Sequence, residues 1–316
     1  MPHSNFSKNL SLFLLFCNLT FSANAAYIFI PMDESQSNHL KAYGIAYYAI
    51  ERDVKVDWLL NYQGGSFLIK QHSVIENECN IRGVSYQLIA DVQSTQILQS
   101  IASPEVNQDV VRLEKAPKIA IYSPNNKQPW DDAVTLALTY AEIPYEVIYD
   151  EEVLSNLLPL YDWLHLHHED FTGQYGKFYA SFKNATWYKD QKRDYEILAK
   201  KLGYKKVSTE KLAVAKKIKE FVNGGGFLFA MCSATDSYDI ALAAEGLDIC
   251  GPMFDGDAAD PNAQENLDFS RTLAFKNFSL VKNPNQYEFS SIDATQKRRI
   301  NAKIDFFTLF DFSAKW

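Results

Sequence analysis

The sequence has no excess of basic residues, no long apolar run after its first 25 residues, and little cysteine. Lysine and arginine number 31 against 39 acidic residues, which gives a formal net charge of -8 at pH 7. A nucleic-acid partner is therefore not predicted, because phosphate binding needs a basic face. No membrane-spanning helix is predicted after residue 25, since such a helix needs ~20 apolar residues in a row. Heptads, internal repeats and low-complexity tracts are also absent.

The first residues follow the order of a secretory signal peptide. A polar start with one cation, Lys8, leads into a short apolar run at 10–21 and a small-x-small site that ends at Ala25. We therefore predict that residues 1–25 are cleaved off and that the protein is secreted or periplasmic. The apolar run is too short for a transmembrane anchor.

The four cysteines bear on both export and disulfide pairing. Cys17 could serve a lipoprotein signal, but the bulky Phe16 stands before it, where such sites have a small residue. Cys79, Cys232 and Cys250 remain after cleavage, and an odd number outside the cytoplasm leaves at least one thiol unpaired. A Cys79–Cys250 bridge with Cys232 free is one of the pairings that the sequence leaves open.

Residues 26–115 are predicted to form a small α/β domain. Its elements are strands at 26–30, 54–60 and 66–69 and a helix at 35–51, followed up to residue 113 by a mixture of short strands with the helix at 94–101. Residues 102–115, with their Pro, Asn and charges, are interpreted as a linker. The helix at 35–51 is indicated by apolar residues at three- and four-residue spacing, with Asp33 or Ser35 as its cap.

Residues 116–316 are predicted to form a second, larger α/β domain. Its strands lie at 118–122, 145–148, 161–167 and 226–231, and its helices at 130–141, 151–157, 209–223 and 235–245. This alternation predicts right-handed βαβ units and a doubly wound, mostly parallel sheet. The strands are nearly all apolar, which is typical of a sheet with helices on both faces.

An aromatic insertion at 171–206 separates the third strand of this domain from its long helix. Aromatic residues mix with lysines there, among them Phe178, Tyr179, Phe182, Trp187, Tyr188, Tyr195 and Tyr204. One interpretation is a helical cover that packs on the sheet and keeps its lysines in water. The other is an aromatic surface that lines a ligand site.

Residues 225–234 (GGFLFAMCSA) carry the clearest chemical signal. An apolar strand runs into Cys232, small residues surround it, and a helix begins directly afterwards. This is the pattern of a nucleophile elbow, in which a sharp strand-to-helix turn presents a nucleophile at the end of a sheet. The helix N-terminus would lower the pKa of the thiol, and backbone N–H groups at Ser233 and Ala234 would bind an oxyanion. The alternative is a free cysteine packed in the core.

From residue 118 to about 247 the chain resembles the class I glutamine amidotransferase-like domain. The segments KIAIY, YDWLHLHH and FVNGGGFLFAMCSAT occur in the order of that family. The resemblance implies a flavodoxin-like fold in which Cys232 acts with a His and a Glu later in the chain. This sequence departs from the pattern, because no histidine follows His168. Either the triad is absent, or the domain is truncated and its missing part lies beyond Trp316.

The whole chain, including PMDESQSNHLKAYGIAYYAI and DWLLNYQGGSFLI, also resembles exported bacterial proteins labelled asparagine synthetase B. A synthetase of that type uses an N-terminal cysteine and an S-G-G-x-D-S loop for ATP. The mature chain is predicted to begin with Ala26, and it contains no such loop. The residues therefore do not support the synthetase reaction, and no cofactor is predicted.

A run of ionisable residues (HLHHED) closes the third strand of the second domain. In a sheet of flavodoxin-like order the third and fourth strands are neighbours ~5 Å apart, which would bring this strand end beside Cys232. We predict that His167 or His168 acts as a base toward Cys232. Glu169 or Asp170 would orient the ring of that base.

The same run also allows a metal site. His165 and His167 stand at i, i+2 on one face of the strand, and with Asp170 they could ligate zinc, while alternation places His168 on the other face. Calcium is a further candidate at 255–260 (DGDAAD), although this loop lacks the terminal Glu of an EF-hand and turns are rich in such residues. The third interpretation is that the histidines fill polar positions at the sheet edge and bond locally.

The predicted function is that of an exported amide- or ester-directed hydrolase with Cys232 as its nucleophile. One alternative is a non-catalytic envelope protein that binds a small molecule or a carbohydrate. The other is a metal-dependent hydrolase that uses the run at 165–170. The fold alone cannot choose among these, because such folds host many functions.

Overall fold

The computed structural model describes residues 25–124, 133–293 and 313–315. The described residues form two compact units, the first made of 25–116 and 313–315 and the second of 117–293, so the predicted second domain at 116–316 does not include the last described residues. The predicted signal peptide, apart from Ala25, and the apolar FFTLF run near the end of the sequence lie outside the described residues. In the part that is described, no helix combines the length and the apolar character needed to cross a bilayer.

A five-stranded antiparallel sheet forms the centre of the first unit. Along the chain the elements are β1 (Ala25–Ile30), α1 (His39–Ile50), β2 (Val56–Leu60), β3 (Ser66–Lys70), α2 (Ser73–Arg82), β4 (Gln87–Ala90), α3 (Asp91–Ile101) and β5 (Asp109–Leu113). The strands lie in the order β4-β1-β3-β2-β5. Each strand runs antiparallel to its neighbours.

Both faces of this sheet are buried because its apolar residues are consecutive rather than alternating. Ile28 and Ile30 of β1 pack with α1 and α2 on one face, and Phe29 packs with α3 on the other. Burying each side chain of this size contributes about 1.5–3 kcal/mol to stability. The unbroken apolar strands of the sequence therefore account for a helix layer on each side.

The linker predicted at 102–115 is wrong, because residues 109–113 form β5. This strand pairs with β2 along its whole length, and Arg112 forms an ion pair with Asp57 across the two strands at 2.8 Å. β5 lies at the edge of the sheet, and its side chains are half-exposed or exposed. An edge strand of this kind lacks the apolar run by which the other strands are recognised.

Helix α1 begins later than predicted. Asn38 caps it, because the side chain of Asn38 accepts a hydrogen bond from the N–H of Lys41. Asp33 accepts instead from the N–H and the hydroxyl of Ser35, which forms a separate turn before the helix.

A four-stranded parallel sheet forms the centre of the second unit. Its elements are β6 (Ile119–Tyr122), α4 (Ala133–Ala141), β7 (Glu146–Ile148), α5 (Asp150–Leu154), β8 (Trp163–Leu166), α6 (Tyr179–Phe182), α7 (Thr186–Lys201), α8 (Val207–Asn223), β9 (Phe227–Ala230), α9 (Ala234–Ala243) and α10 (Pro252–Asp255). The strand order is β7-β6-β8-β9, with every neighbouring pair parallel. The predicted α/β class with a parallel sheet is confirmed.

Helices contact both faces of the parallel sheet. Leu164 and Leu166 of β8 are fully buried against α8 and α9, whereas Ile119 and Ile121 of β6 pack with Leu138 of α4 on the other face. Because all the strands run in one direction, their carboxyl ends meet at a single edge. The residues with predicted catalytic roles lie at or just beyond that edge.

The aromatic insertion contains α6 and α7 and forms a small core of its own. Tyr175, Tyr188, Cys250 and Phe254 are buried together there, and other aromatic residues of the insertion pack around them. Most lysines of the insertion are exposed or half-exposed, as predicted for a helical cover. Lys177 is the exception, since it is 2% exposed.

Candidate functional site

The carboxyl ends of β8 and β9 lie side by side. Leu166 and Ala230, the last residues of the two strands, are register partners. The N–H of Met231 donates to the carbonyl oxygen of Leu166 at 2.9 Å, which continues the ladder one residue past β9. His167 follows Leu166 directly and Cys232 lies two residues after Ala230, so both backbones leave the same edge of the sheet.

Cys232 occupies a strained turn between β9 and α9. Its φ is +51°, in the left-handed region that residues other than glycine seldom adopt. Such strain costs about 1–3 kcal/mol and is concentrated at functional sites. The side chain of Cys232 is exposed, whereas Ala234 is fully buried in the core. An exposed potential nucleophile on a tight strand-to-helix turn with a small buried neighbour has the geometry of a nucleophile elbow.

The turn leaves the N–H of Ser233 available to a ligand. The N–H of Ala234 donates to the carbonyl oxygen of His167 at 3.3 Å, and the N–H of Thr235 donates to that of Cys232 at 3.1 Å. Within the described residues, the N–H of Ser233 has no hydrogen-bond acceptor. Ser233 can therefore donate to an oxyanion, while Ala234, the other predicted donor, is already engaged.

His167 and His168 lie beyond the end of β8 and contact each other. Their Nδ1 atoms are 3.1 Å apart and their ring centroids 4.7 Å apart, and both side chains are half-buried. The prediction that strand alternation separates them is wrong, because β8 ends at Leu166 and the alternation ends with it. At this distance one ring can donate to the other, so the pair can share a proton.

His165 belongs to the sheet rather than to its edge. It lies within β8, is fully buried and stacks on Phe229 of β9, with 5.6 Å between the ring centroids. Its register partner on β6 is Ile121. The centroid of its ring is 6.1 Å from that of His167. These contacts give His165 a packing role at the face of the sheet.

Glu169 and Asp170 both brace the backbone around the histidines. Oε2 of Glu169 accepts from the N–H of His167 at 2.9 Å. Oδ1 of Asp170 accepts from the N–H and the hydroxyl of Thr172, and its Oδ2 accepts from the N–H of Gly176 at 3.0 Å. Glu169 therefore fixes the main chain of His167, and Asp170 orders the loop that follows.

This loop after β8 is strained and buried. Tyr175, Gly176 and Lys177 have consecutive φ values of +53°, +70° and +58°. Every residue from 171 to 177 is buried. Gly176 and His168 line the same narrow cavity. A run of left-handed residues held in a buried loop is maintained only by strong surrounding contacts, and such strain clusters at functional sites.

Lys177 carries its ammonium group into this buried region. Its Nζ donates to the carbonyl oxygens of Val281 at 2.7 Å and of Asn283 at 3.3 Å. Burial lowers the pKa of Lys177 to about 8, although the charges of Asp170 and Glu288 act in the opposite direction. The lysine thus ties the loop after β8 to the segment around residue 281.

Two further ionisable residues belong to the surroundings of Cys232. Asp236 stands in the first turn of α9 and is buried, and burial raises its pKa to about 7, with a further contribution from the charge of Asp293. Tyr287 is half-buried. Burial, and after it the charge of Cys232, raises the pKa of the Tyr287 hydroxyl.

Potential metal ligands converge at one place in the described ranges. Asp248, Cys250 and Asp255 have ligand atoms within 4.8 Å of one another. The ammonium of Lys206 lies 2.5 Å from Asp248 and 3.0 Å from Asp255, and it also pairs with Asp257. This lysine supplies the positive charge that a bound cation would bring, so the cluster is an ion-pair network.

The residues of the two candidate metal sites make other contacts. The calcium loop at 255–260 contributes carboxylates to the ion pairs with Lys206. The candidate zinc ligands do not converge within the described part of the chain. His165 is stacked within the sheet, and Asp170 binds the loop backbone.

Cys79, Cys232 and Cys250 are free thiols, so the Cys79–Cys250 bridge is not formed. Cys79 and Cys250 are fully buried. Burial raises the pKa of Cys79 to about 12 and also raises the pKa of Cys250 well above its ordinary value. Among the described cysteines, Cys232 is the one that solvent reaches.

A second polar network lies buried at the carboxyl ends of β6 and β7. Nζ of Lys211 on α8 donates to both carboxylate oxygens of Asp150, at 2.6 and 2.8 Å. It also donates to the hydroxyls of Tyr122 at 3.0 Å and Tyr149 at 2.8 Å. The side chains of the ion pair are each 2% exposed. Burial raises the pKa of the adjacent Glu210 to about 8.

Sequence reasoning missed Lys177, Asp236, Tyr287 and the pair of Lys211 with Asp150. The partners of these residues lie far away along the chain; Lys177 and Val281, for example, are 104 positions apart. One signal in the sequence was the pair of glycines in GQYGK, since a glycine can mark a close approach of the backbone. In the structure, a Cβ on Gly173 would lie 2.8 Å from the backbone of Ser208.

The chain matches no protein-family model, no curated protein and no solved structure. Its function must therefore be inferred from the geometry of the site.

Proposed function

We propose that the second unit is a class I glutamine amidotransferase-like domain and that Cys232 is the nucleophile of an amide- or ester-directed hydrolase. The strained and exposed position of Cys232 between β9 and α9 carries this proposal. The strand order β7-β6-β8-β9 corresponds to the first four strands of the flavodoxin-like order 2-1-3-4-5, which supports the fold. The contacts of α4 with one face and of α8 and α9 with the other support a doubly wound sheet.

The proposed reaction begins with transfer of the Cys232 thiol proton to the pair of His167 and His168. The thiolate then attacks the carbonyl carbon of the substrate, a C–S bond forms, and the carbonyl oxygen becomes negative. The N–H of Ser233 donates to that oxygen. The protonated imidazole returns its proton to the leaving amine or alcohol as the C–N or C–O bond breaks. Water then hydrolyses the thioester and regenerates the thiol.

Alkylation with iodoacetamide tests the nucleophile without a known substrate. We expect Cys232 of the folded protein to react quickly at neutral pH, because its thiol is exposed and the proposed base can take its proton. Cys79 and Cys250 serve as internal controls, since their buried thiols have raised pKa values and should stay unmodified. Peptide mass spectrometry gives the rate at each cysteine. A Cys232 no faster than a cysteine of the unfolded chain would contradict the proposal.

Turnover is tested with 4-nitrophenyl acetate and a panel of primary amides. The variant Cys232→Ala should lose acylation and turnover, whereas Cys79→Ala, which alters a buried thiol of the first unit, should keep both. Equal turnover in the two variants would remove Cys232 from the reaction.

A non-catalytic protein that binds a small molecule or a carbohydrate is the competing function. It is supported by Glu169 and Asp170, whose carboxylates brace backbone N–H groups. Fast alkylation of Cys232 without turnover of any compound in the panel would favour this function. A ligand that protects Cys232 from alkylation would then identify the class that binds.

We also propose that the protein is exported, as the order of residues 1–25 predicts. N-terminal sequencing of the full-length chain, expressed in a Gram-negative host and recovered from the periplasm, should begin at Ala26. A chain that stays in the cytoplasm and begins at Met1 would contradict export.

A further inference from the structure

Residues 279–291 form a closed hairpin that carries Tyr287. Leu280 and Ser290 make an antiparallel bridge. The N–H of Val281 donates to the carbonyl oxygen of Phe289, and that of Ser291 donates to the carbonyl oxygen of Ser279, each at 2.9 Å. The backbone is therefore fixed on both sides of the turn, and Tyr287 has a defined position near its end.

The buried lysine of the strained loop anchors this hairpin. Nζ of Lys177 donates to the carbonyl oxygens of Val281 and Asn283, both on the hairpin. Lys177 has a φ of +58° and follows Gly176, so its position depends on the strained backbone of the loop after β8. Burial of an ammonium group is costly unless it is hydrogen-bonded, and here the hairpin carbonyls supply the acceptors. The loop and the hairpin consequently form one structural unit.

Tyr287 lies beside the cavity that His168 lines. Its ring packs on Phe178, with 5.9 Å between the centroids, and Phe178 lines the same cavity as His168. The charge of Cys232 acts on the Tyr287 hydroxyl, as do those of Asp236 and Asp293. The hydroxyl of Ser290, on the same hairpin, donates to Oδ2 of Asp236 at 3.5 Å, which places the hairpin beside the first turn of α9, directly after Cys232 and Ser233.

One of the two predicted oxyanion donors of the elbow is already engaged. Tetrahedral intermediates of acyl transfer are held by preorganised donors, and each donor is worth about 100-fold or more in rate. The N–H of Ser233 is available, but the N–H of Ala234 is bonded to His167. A second donor can come from another element of the unit.

We propose that the hydroxyl of Tyr287 is this second donor, and that it binds the carbonyl oxygen of the substrate together with the N–H of Ser233. Lys177 is then a positioning residue, because it holds the hairpin that carries Tyr287. The raised pKa of the Tyr287 hydroxyl keeps the phenol protonated throughout the neutral range, so it remains a donor. This inference rests on the proposed role of Cys232 as nucleophile.

The variant Tyr287→Phe tests the proposal with two reagents that differ in chemistry. Acylation by 4-nitrophenyl acetate passes through an oxyanion, and we expect its rate constant to fall by about 100-fold. Alkylation of Cys232 by iodoacetamide creates no oxyanion and should be unchanged. The control is Tyr145→Phe. Tyr145 stands just before β7, at the amino end of the sheet, and its hydroxyl is bonded to Thr139. This variant should leave both rates unchanged.

The outcomes separate this inference from the proposed function. If Cys232→Ala abolishes acylation while Tyr287→Phe leaves it unchanged, Tyr287 is not a donor and the nucleophile stands. If Cys232→Ala leaves acylation intact, the proposed function itself is wrong. A parallel loss of acylation and alkylation in Tyr287→Phe would assign to Tyr287 a structural role only and would overturn the inference.

Discussion

The N–H of Ala234 donates to the carbonyl oxygen of His167 at 3.3 Å. This bond joins the first residue of α9 to the first residue after β8, so the turn that contains Cys232 is held from both ends. A residue with a φ of +51° persists in such a turn because the neighbouring ladder and helix fix its backbone. The bond also engages the N–H of Ala234, so this N–H cannot bind a substrate oxygen at the elbow.

The strain at Cys232 predicts an unusual response to glycine. Cys232→Gly should be more stable than Cys232→Ala by about 1 kcal/mol, because glycine adopts a positive φ without a Cβ clash. Urea unfolding at neutral pH measures the difference. In the interior of α8 the order should reverse, so that Lys216→Gly is less stable than Lys216→Ala by about 1 kcal/mol. The same order at both positions would show that the turn is not strained.

The loop after β8 should tolerate a methyl group poorly at Gly173. Its φ is +81°, and a Cβ there would lie 2.8 Å from the Cα of Ser208. Gly203 has a φ of +90° but open space around it, so it provides a matched control. We expect Gly203→Ala to cost about 1–2 kcal/mol from backbone strain alone. Gly173→Ala should cost about 1–3 kcal/mol more from overpacking, as measured by thermal unfolding.

The buried pair of Lys211 and Asp150 predicts a large loss of stability when one partner is removed. Lys211→Met leaves the Asp150 carboxylate buried without its cation and should cost about 3–5 kcal/mol. Lys216→Met, on the same helix, breaks an ion pair with Glu245 whose side chains are 49% and 30% exposed, and should cost less than about 1 kcal/mol. The free energy of unfolding in urea separates the two variants.

A double variant checks the reason for that loss. Adding Asp150→Asn to Lys211→Met removes the unpaired charge and should restore part of the stability. If the double variant is less stable than Lys211→Met alone, the cost comes from packing around Lys211 and not from the buried charge.

The sequence predicts the strands better than the contacts between distant side chains. β6, β8 and β9 are short apolar runs bounded by glycine or polar residues, so their positions follow from a local pattern. β5 escapes this pattern because it is an edge strand with half-exposed side chains. Its place depends on pairing with β2, and no local signal reports that pairing.

The site is predictable only where its chemistry is local. The elbow at Cys232 is visible because the constraint of small neighbours on a sharp turn acts within a few residues. The relation of His167 to His168 was missed, since it depends on β8 ending one residue earlier than the predicted strand. Lys177 was missed because lysine is rarely buried, and its acceptors come from the hairpin about a hundred positions further along.

Buried carboxyl groups with raised pKa values predict that the protein loses stability as the pH rises. The pKa of Glu210 is raised from 4.5 to about 8, and that of Asp236 from 3.8 to about 7. Between the ordinary and the raised value the folded protein holds a proton that the unfolded chain releases. Each group therefore stabilises the fold fully below its ordinary pKa, and this contribution is lost as the pH rises through the raised pKa.

Urea unfolding between pH 5 and pH 7.5 measures this loss. The window stays below the pKa of Lys177, which burial lowers to about 8, so that this lysine remains charged throughout. Each group can contribute up to about 1.4 kcal/mol per pH unit. Glu210→Gln has a permanently neutral side chain and should flatten the dependence of the unfolding free energy on pH. Glu220→Gln alters an exposed carboxylate on the same helix and should keep the slope of the parent protein. Two results would contradict this prediction: a stability that rises with pH across this window, or equal slopes in the two variants. Either result would mean that Glu210 is ionised in the folded protein, beside the Lys211–Asp150 pair.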